Sequence, residues 1–416
     1  MHGAVTLCGG SLAGGTAWLC GDEEARAGDW PQILGPTRDG SAVGEKLTET
    51  WPASGPKVAW KHPVQQGYAG PAVVGSRVFV FHRDGDKERL EALDLATGKP
   101  IWKTEFAANY RGGIDADRGP RCVPLVHKDA VYVYGPGGML HAVTAADGKL
   151  RWSRDTAGDF EADDGYFGFG STPIILGDKL VVNVGGRGGA IIAFNLADGS
   201  TAWKAAADAA SYSAPTLATI AGKPSAVFVT RLKCIAVSPA GDVLFQFPFG
   251  KRGPTVNAAT PLVFDDHLFL TASYGIGGQL LSLGAEAPKP VWSDDSTLSS
   301  QYATPVYYQG HLYGTHGRED TGDAAELRCI EAKSKRIVWS SPNFGVAHVI
   351  RSGDKLLLLK TTGELVLAQA APGAYKPLAT AKISNDTTRA LPALSQGRLV
   401  LRTNDGRGGG GQLMTL

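Results

Sequence analysis

The sequence predicts an all-β protein, an eight-bladed β-propeller of four-stranded antiparallel blades whose last blade is closed by an N-terminal strand. Three observations carry this. The first is composition: 55 glycines and 24 prolines among 416 residues, far more than helices tolerate, with Val, Ile, Leu, Tyr and Trp grouped in short runs between them. The second is a repeat. Ala92-Leu93-Asp94-Leu95-Ala96-Thr97-Gly98-Lys99-Pro100-Ile101-Trp102-Lys103 returns as Ala142-Val143-Thr144-Ala145-Ala146-Asp147-Gly148-Lys149-Leu150-Arg151-Trp152-Ser153, and again from Ala193 through Asp198-Gly199 to Trp203-Lys204. The third is the spacing of its closing aromatic. Trp60, Trp102, Trp152, Trp203, Phe245, Trp292 and Trp339 stand 42, 50, 51, 42, 47 and 47 residues apart, the period of a propeller blade.

Within one period the order of elements is constant. Gly70-Pro71-Ala72-Val73-Val74 reads as a short first strand, with proline at its start, where no ladder hydrogen bond is lost. A Gly or Asp turn leads into the alternating second strand Arg77-Val78-Phe79-Val80-Phe81, and a hairpin brings the third, Leu90-Glu91-Ala92-Leu93-Asp94. The Thr97-Gly98-Lys99 turn then sends the chain into a fourth strand that carries the Trp. In that turn the Asp side chain satisfies backbone donors and Gly supplies a positive φ. One blade cannot bury its own faces, so the repeated Trp is expected to fill the gap between neighbours. The residues assigned to this framework are Trp60, Asp94, Gly98, Trp102, Gly148, Trp152, Gly199, Trp203, Trp292 and Trp339.

Blades open at Pro71, Pro124, Pro173, Pro215, Pro261 and Pro305. A seventh lacks the proline and runs from about Val346 through Lys355-Leu356-Leu357-Leu358-Leu359 to Glu364-Leu365-Val366-Leu367. The eighth opens at Pro392, passes through Arg398-Leu399-Val400-Leu401-Arg402 and reaches Leu416 with no fourth strand. Residues 57–61, around Trp60, are expected to supply it, pairing both edges and closing the ring. Residues 57–416 shared among eight blades give 45 each, in keeping with the observed intervals.

Residues 28–56 read as an extension that packs on the propeller. Residues 1–27 read as a signal peptide: an apolar stretch from Ala4 to Cys20, a polar run, and the small-residue pattern Ala25-Arg26-Ala27. This implies an exported protein, periplasmic or extracellular; a lipid anchor on Cys20 is disfavoured by the bulky Trp18 and Leu19 before it. No later apolar run reaches the roughly 18 residues that span a bilayer. Cys122, Cys234 and Cys329 lie far apart without metal-ligand spacing and read as buried free thiols. Lys plus Arg (41) cancel Asp plus Glu (40), so no field draws the protein to nucleic acid or anionic lipid. A monomer is expected.

The A-x-D-x-x-T-G-K-x-x-W pattern resembles the pyrroloquinoline-quinone repeat, found in quinoprotein dehydrogenases and in BamB-like exported propellers of the outer-membrane barrel assembly machinery. The resemblance covers about residues 57–416. The opening from Asp29-Trp30-Pro31 to Asp39-Gly40, with Trp51-Pro52 and Gly55-Pro56-Lys57, is similar to exported proteins of this repeat type. In the dehydrogenases, the resemblance implies, an adjacent cysteine pair closes on the quinone while Glu, Asn and Asp hold calcium. This sequence has no such pair and no C-x-x-C-H haem attachment. No catalytic residue, metal site or cofactor is therefore expected, and pyrroloquinoline quinone with calcium stands as the alternative.

Other constellations read as structure. The glycine runs Gly185–Gly189 and Gly406–Gly411 lie between strands rather than ahead of a helix, so they read as hairpin turns, not phosphate loops. The stretch Asp155, Asp159, Glu161, Asp163 and Asp164 matches no calcium loop and reads as a solvated inter-blade loop, as do Asp115-Ala116-Asp117 and Asp84-Gly85-Asp86. His141, His267 and His311 fall in different blades without metal or triad spacing.

One alignment points to binding. Three places before each opening proline stand Tyr68, Arg121, Gly170, Tyr212, Ala258, Tyr302 and Arg389. First strands line a propeller's channel, so these residues form a ring at one mouth, and Tyr and Arg anchor peptides, sugars and partner loops. Phe169, Asn257 and His348 are candidate additional members. The competing reading is that the ring only plugs the channel. The expected function is a protein- or peptide-binding scaffold in envelope or outer-membrane protein assembly; the alternatives are a quinone-dependent oxidoreductase and a small-ligand or sugar binder at the channel.

Overall fold

The computed structural model describes residues 28–284, 287–321, 324–406 and 408–416. The expected leader, with Cys20, lies outside them. Strands too short to stand alone assemble into eight four-stranded antiparallel sheets. Seven use four consecutive strands, as in blade 1: Ala72–Val74, Arg77–Asp84, Lys87–Asp94 and Pro100–Ala107. The eighth joins Ala393–Ser395, Arg398–Arg402 and Gly411–Thr415 to Trp60–Val64. Trp60 faces Thr415 and Val64 faces Gly411. The closing strand is therefore Trp60–Val64 rather than 57–61, because its partner extends far enough to pair through Val64.

The core sits between blades. Ala72, Phe79, Phe81 and Leu90 of blade 1 meet Val126, Val131 and Val133 of blade 2. The repeated Trp locks six of the eight joints. Trp60, Trp102, Trp152 and Trp203 lie against Gly98, Gly148, Gly199 and Gly241 of the next blade, where an added Cβ would fall 2.5–2.7 Å from the indole. The indole N–H of Trp60 donates to Leu95 O (2.9 Å), that of Trp102 to Ala145 O (3.1 Å), and that of Trp292 to Ala332 O (2.7 Å). Asp94 Oδ1 accepts from Thr97 N and Oγ1 at 2.8 and 2.7 Å, and Gly98 takes φ +68°. The repeat thus encodes both the turn and the seat for its neighbour's tryptophan.

A bulge precedes the Trp in blade 1. Ala92 pairs with Trp102 but Leu93 pairs with Pro100, so Ile101 is left unpaired and outward while the indole is aimed at blade 2. The glycine runs join paired strands, as expected. The acidic stretch differs: Thr156–Phe160 form a short helix. Asp155 caps it by accepting from Gly158 N (3.0 Å), and Phe160 is buried against Phe194. The capping carboxylate and buried ring outweigh the polar character of the segment.

Residues 29–42 cross the end of the ring where the inner strands finish. Trp30 bridges to Val73, Asp29 Oδ1 accepts from Gly75 N (2.8 Å), and Pro31 O accepts from Val126 N (2.8 Å). Arg351 N donates to Gly40 O at 2.8 Å on the far side. From this crossing Arg38 reaches inward, donating to Gln32 Oε1 (2.7 Å), Pro215 O (2.9 Å) and Pro173 O. It is 1% exposed. A cation so deep persists because backbone carbonyls replace its water.

Candidate functional site

The ring residues precede the inner strands, so they occupy the mouth opposite the N-terminal crossing. Short inner strands hold their backbones, and contacts between blades hold the side chains. Arg121 lies over the Tyr68 ring at 5.5 Å, and Arg389 lies over Tyr68 at 5.3 Å and over Tyr302 at 4.9 Å. Blades 2, 1, 8 and 6 thereby meet in one arc of alternating cation and aromatic face. Tyr302 hydroxyl donates to Glu319 Oε2 at 2.7 Å. Tyr212 stands apart: its hydroxyl accepts from Phe167 N (2.9 Å) and its ring meets Phe167 edge-on at 5.5 Å. Gly170 lets Tyr212 approach Arg121, since a Cβ there would sit 3.0 Å from the tyrosine ring and 3.2 Å from Arg121 Cβ.

The three further candidates fall behind this surface. Phe169 turns into the core beside Tyr134, with ring centroids 5.4 Å apart, because the preceding Gly168 at φ +79° redirects the chain. Asn257 is 1% exposed and its Nδ2 is consumed by Thr230 O (2.9 Å) and Arg231 O (3.2 Å). His348 is buried, its Nε2 2.7 Å from Arg389 O and its ring 5.8 Å from Tyr302. It supports Arg389 and Tyr302 from beneath, and burial pushes its pKa down to about 4, so it is neutral at pH 7.

Several contributors were not legible as such. Asp117, expected in a solvated loop, is 2% exposed. Its carboxylate accepts from Gly67 N and Gly119 N, both at 2.8 Å, and faces Arg121 at 3.8 Å. Arg121 also donates to Asp117 O (2.7 Å) and Gly119 O. Below Tyr68, the fully buried Arg402 donates to Ala69 O (3.3 Å), Phe81 O (3.2 Å) and Gln65 O. Burial raises the Tyr68 hydroxyl to about 12, so it stays a neutral donor.

Beside the mouth a cleft of about 640 Å³ opens between blades 5 and 6. His316 Nδ1 accepts from Ser299 N at 3.0 Å, which places the ring proton on Nε2. Arg318 stacks on Tyr274 at 4.0 Å and forks onto Asp320 at 2.8 and 2.7 Å. Gln301 ties cleft to mouth: Nε2 donates to Tyr274 hydroxyl (3.1 Å) and Oε1 accepts from Glu319 N (3.1 Å). No sequence spacing marks these residues, which come from separate strands and loops.

The sequence holds no adjacent cysteine pair. Cys122, Cys234 and Cys329 are buried, free and in different blades. Among the described residues no group of three or more His, Cys, Asp or Glu could hold a metal ion, and no described helix is long and apolar enough to cross a membrane.

Comparison with known proteins agrees with this architecture. BamB of Burkholderia pseudomallei is 24% identical over 396 residues, covering 89% of this chain and 91% of that one. BamB of Vibrio cholerae is 27% identical, covering 60% and 63%. Among solved structures, BamB of Moraxella catarrhalis superposes with a TM-score of 0.61 at 15% identity, covering 86% of this chain and 96% of that one. A europium-containing methanol dehydrogenase gives 0.70 at 12% identity, covering 94% and 98%. At such identities the superpositions speak for the propeller alone. The family model described as outer membrane protein assembly factor BamB matches residues 86–341, more than half of the chain, and the chain belongs to that family.

Proposed function

We propose that this chain is an exported, non-catalytic propeller that serves as a protein- or peptide-binding platform in outer-membrane protein assembly, its partner docking over the channel mouth. Family membership supports the assembly role. The observation that carries the docking face is the asymmetry of the two ends: residues 29–42 and Arg38 close one, while Arg121, Tyr68, Arg389 and Tyr302 line the other. Half-buried Tyr and Arg lose little conformational entropy on binding and offer both apolar faces and donors, the character of interface hot spots.

The test is crosslinking in the living host. A photoreactive residue at Glu319, on the rim, should capture an outer-membrane assembly protein, whereas one at the exposed Asp178 should not. Replacing Tyr68, Tyr212 and Tyr302 together by Ala should abolish the capture without altering the far-UV circular dichroism. Undiminished capture by the folded triple variant sinks the docking face.

A second reading, a binder of small polar ligands such as sugars, draws on the cleft between blades 5 and 6, where neutral His316 and the paired Arg318 offer donors without net charge. A quinone enzyme is the remaining alternative. Adding pyrroloquinoline quinone and calcium, then following quinone absorption and dye-linked alcohol oxidation, separates it from both.

A further inference from the structure

Among the described residues of the mouth, Arg389 has neither an ion pair nor a backbone carbonyl on its guanidinium. Arg121 has Asp117 and two carbonyls, Arg402 has three carbonyls, and Arg38 has two carbonyls and Gln32. Arg389 is half-buried between the faces of Tyr68 and Tyr302, and among the described residues the carboxylates of Glu319 and Asp115 act on it through charge alone. Aromatic faces interact with the flat sides of a guanidinium, and the Tyr302 hydroxyl takes up one Arg389 N–H; neither supplies the paired carboxylate oxygens that the rest of the N–H edge matches.

The mouth also shows what suits that edge. Glu319, an exposed rim residue, already brings a carboxylate to the Tyr302 hydroxyl at 2.7 Å. Its charge and that of Asp115 act on Arg389 only from longer range. Behind the mouth Arg38 bonds Pro173 O and Pro215 O and Leu34 packs with Val123 and Ala214, an arrangement that suits a chain end or a loop tip rather than a threaded chain.

We propose that the partner enters this mouth carboxylate first, as a free C-terminus or an Asp or Glu side chain seated on Arg389 between Tyr68 and Tyr302. This deepens the platform reading and rests on it. The two tyrosines pre-orient the guanidinium, so a carboxylate gains paired, charge-assisted hydrogen bonds in a partly dry cup. Glu319 is the intramolecular competitor that the incoming group displaces from the rim.

The experiment uses the whole mature chain and arrays of random-sequence peptides, synthesised once with free C-terminal carboxylates and once as amides. Peptides selected on the wild type should lose at least tenfold in Kd on amidation, which identifies a chain end, or on Asp and Glu replacement by Asn and Gln, which identifies a side chain. Arg389→Met should lose the same factor and become indifferent to amidation. Glu319→Gln should bind a few-fold more tightly, an effect that a merely structural Arg389 would not produce. If Arg389→Met fails to fold, the acid-to-amide comparison and Glu319→Gln decide alone. Equal binding of acids and amides overturns the assignment. So does the absence of any carboxylate peptide binding, or binding of pyrroloquinoline quinone, itself a tricarboxylate, with peptides excluded. In those last two cases the platform stands or falls on its own crosslinking test.

Discussion

Replacing Gly148 by Ala tests how the blades are locked together. Gly148 has φ +72°, and an added methyl would fall 2.5 Å from Cε3 of Trp102 and 2.6 Å from Oγ1 of Thr104. The left-handed backbone costs a non-glycine residue about 1–2 kcal/mol. Pushing the indole aside adds about 1–3 kcal/mol of overpacking, and losing its hydrogen bond to Ala145 O about 1 kcal/mol more. The expected loss is about 3–6 kcal/mol. Gly85 is the control: its φ is +58° with nothing within 4 Å of an added Cβ, so Gly85→Ala should lose only the backbone term, about 1–2 kcal/mol. Urea unfolding followed by both tryptophan fluorescence and circular dichroism measures the pair, and coincident transitions license the comparison. If Gly148→Ala costs no more than Gly85→Ala, the glycine of the repeat is not there for the tryptophan.

Two further perturbations probe the molecule elsewhere. Arg38→Met removes the donor from two buried carbonyls and should cost roughly 1–3 kcal/mol; limited proteolysis should then cut within residues 28–56 faster than in the wild type, and unchanged cleavage kinetics would remove Arg38 as the anchor of this segment. Glu88 is 1% exposed with neither carboxylate oxygen hydrogen-bonded, and burial raises its pKa from 4.5 to about 7. The native state then holds the proton more tightly than the unfolded chain, so this group's contribution declines as pH rises from about 4.5 to about 7 and is level above. Glu88→Gln should flatten that decline and stabilise the protein at pH 8; urea midpoints between pH 4.5 and 8 that match the wild type's would refute the burial argument.

What the sequence determined by itself is the part of the structure that repeats. The Asp94-Thr97-Gly98 turn and the Trp102 that follows it are local chemistry copied at a blade's interval, and Trp60, standing one such interval before Trp102, marks the strand that closes the eighth blade. The type of residue around the mouth was legible for the same reason, because Tyr68, Arg121, Tyr212, Tyr302 and Arg389 share one position in the repeat.

Only the tertiary structure decided what those side chains do. Arg389 lies between Tyr68 and Tyr302 because blades far apart in the chain converge on one axis, and no periodicity reports which neighbours meet there. Phe169 and Asn257 stand beside ring positions in the sequence but point into the core, since a single left-handed glycine or a pair of backbone acceptors suffices to turn a side chain away. Asp117 looked solvated because its partners, Gly67 N–H and Gly119 N–H, are brought to it only by folding, whereas Asp155 is exposed as expected and what the sequence hid was the helix start it caps. Arg38 gave no signal at all: the acceptors that draw it inward include the carbonyls of Pro173 and Pro215, and a backbone carbonyl carries no sequence identity.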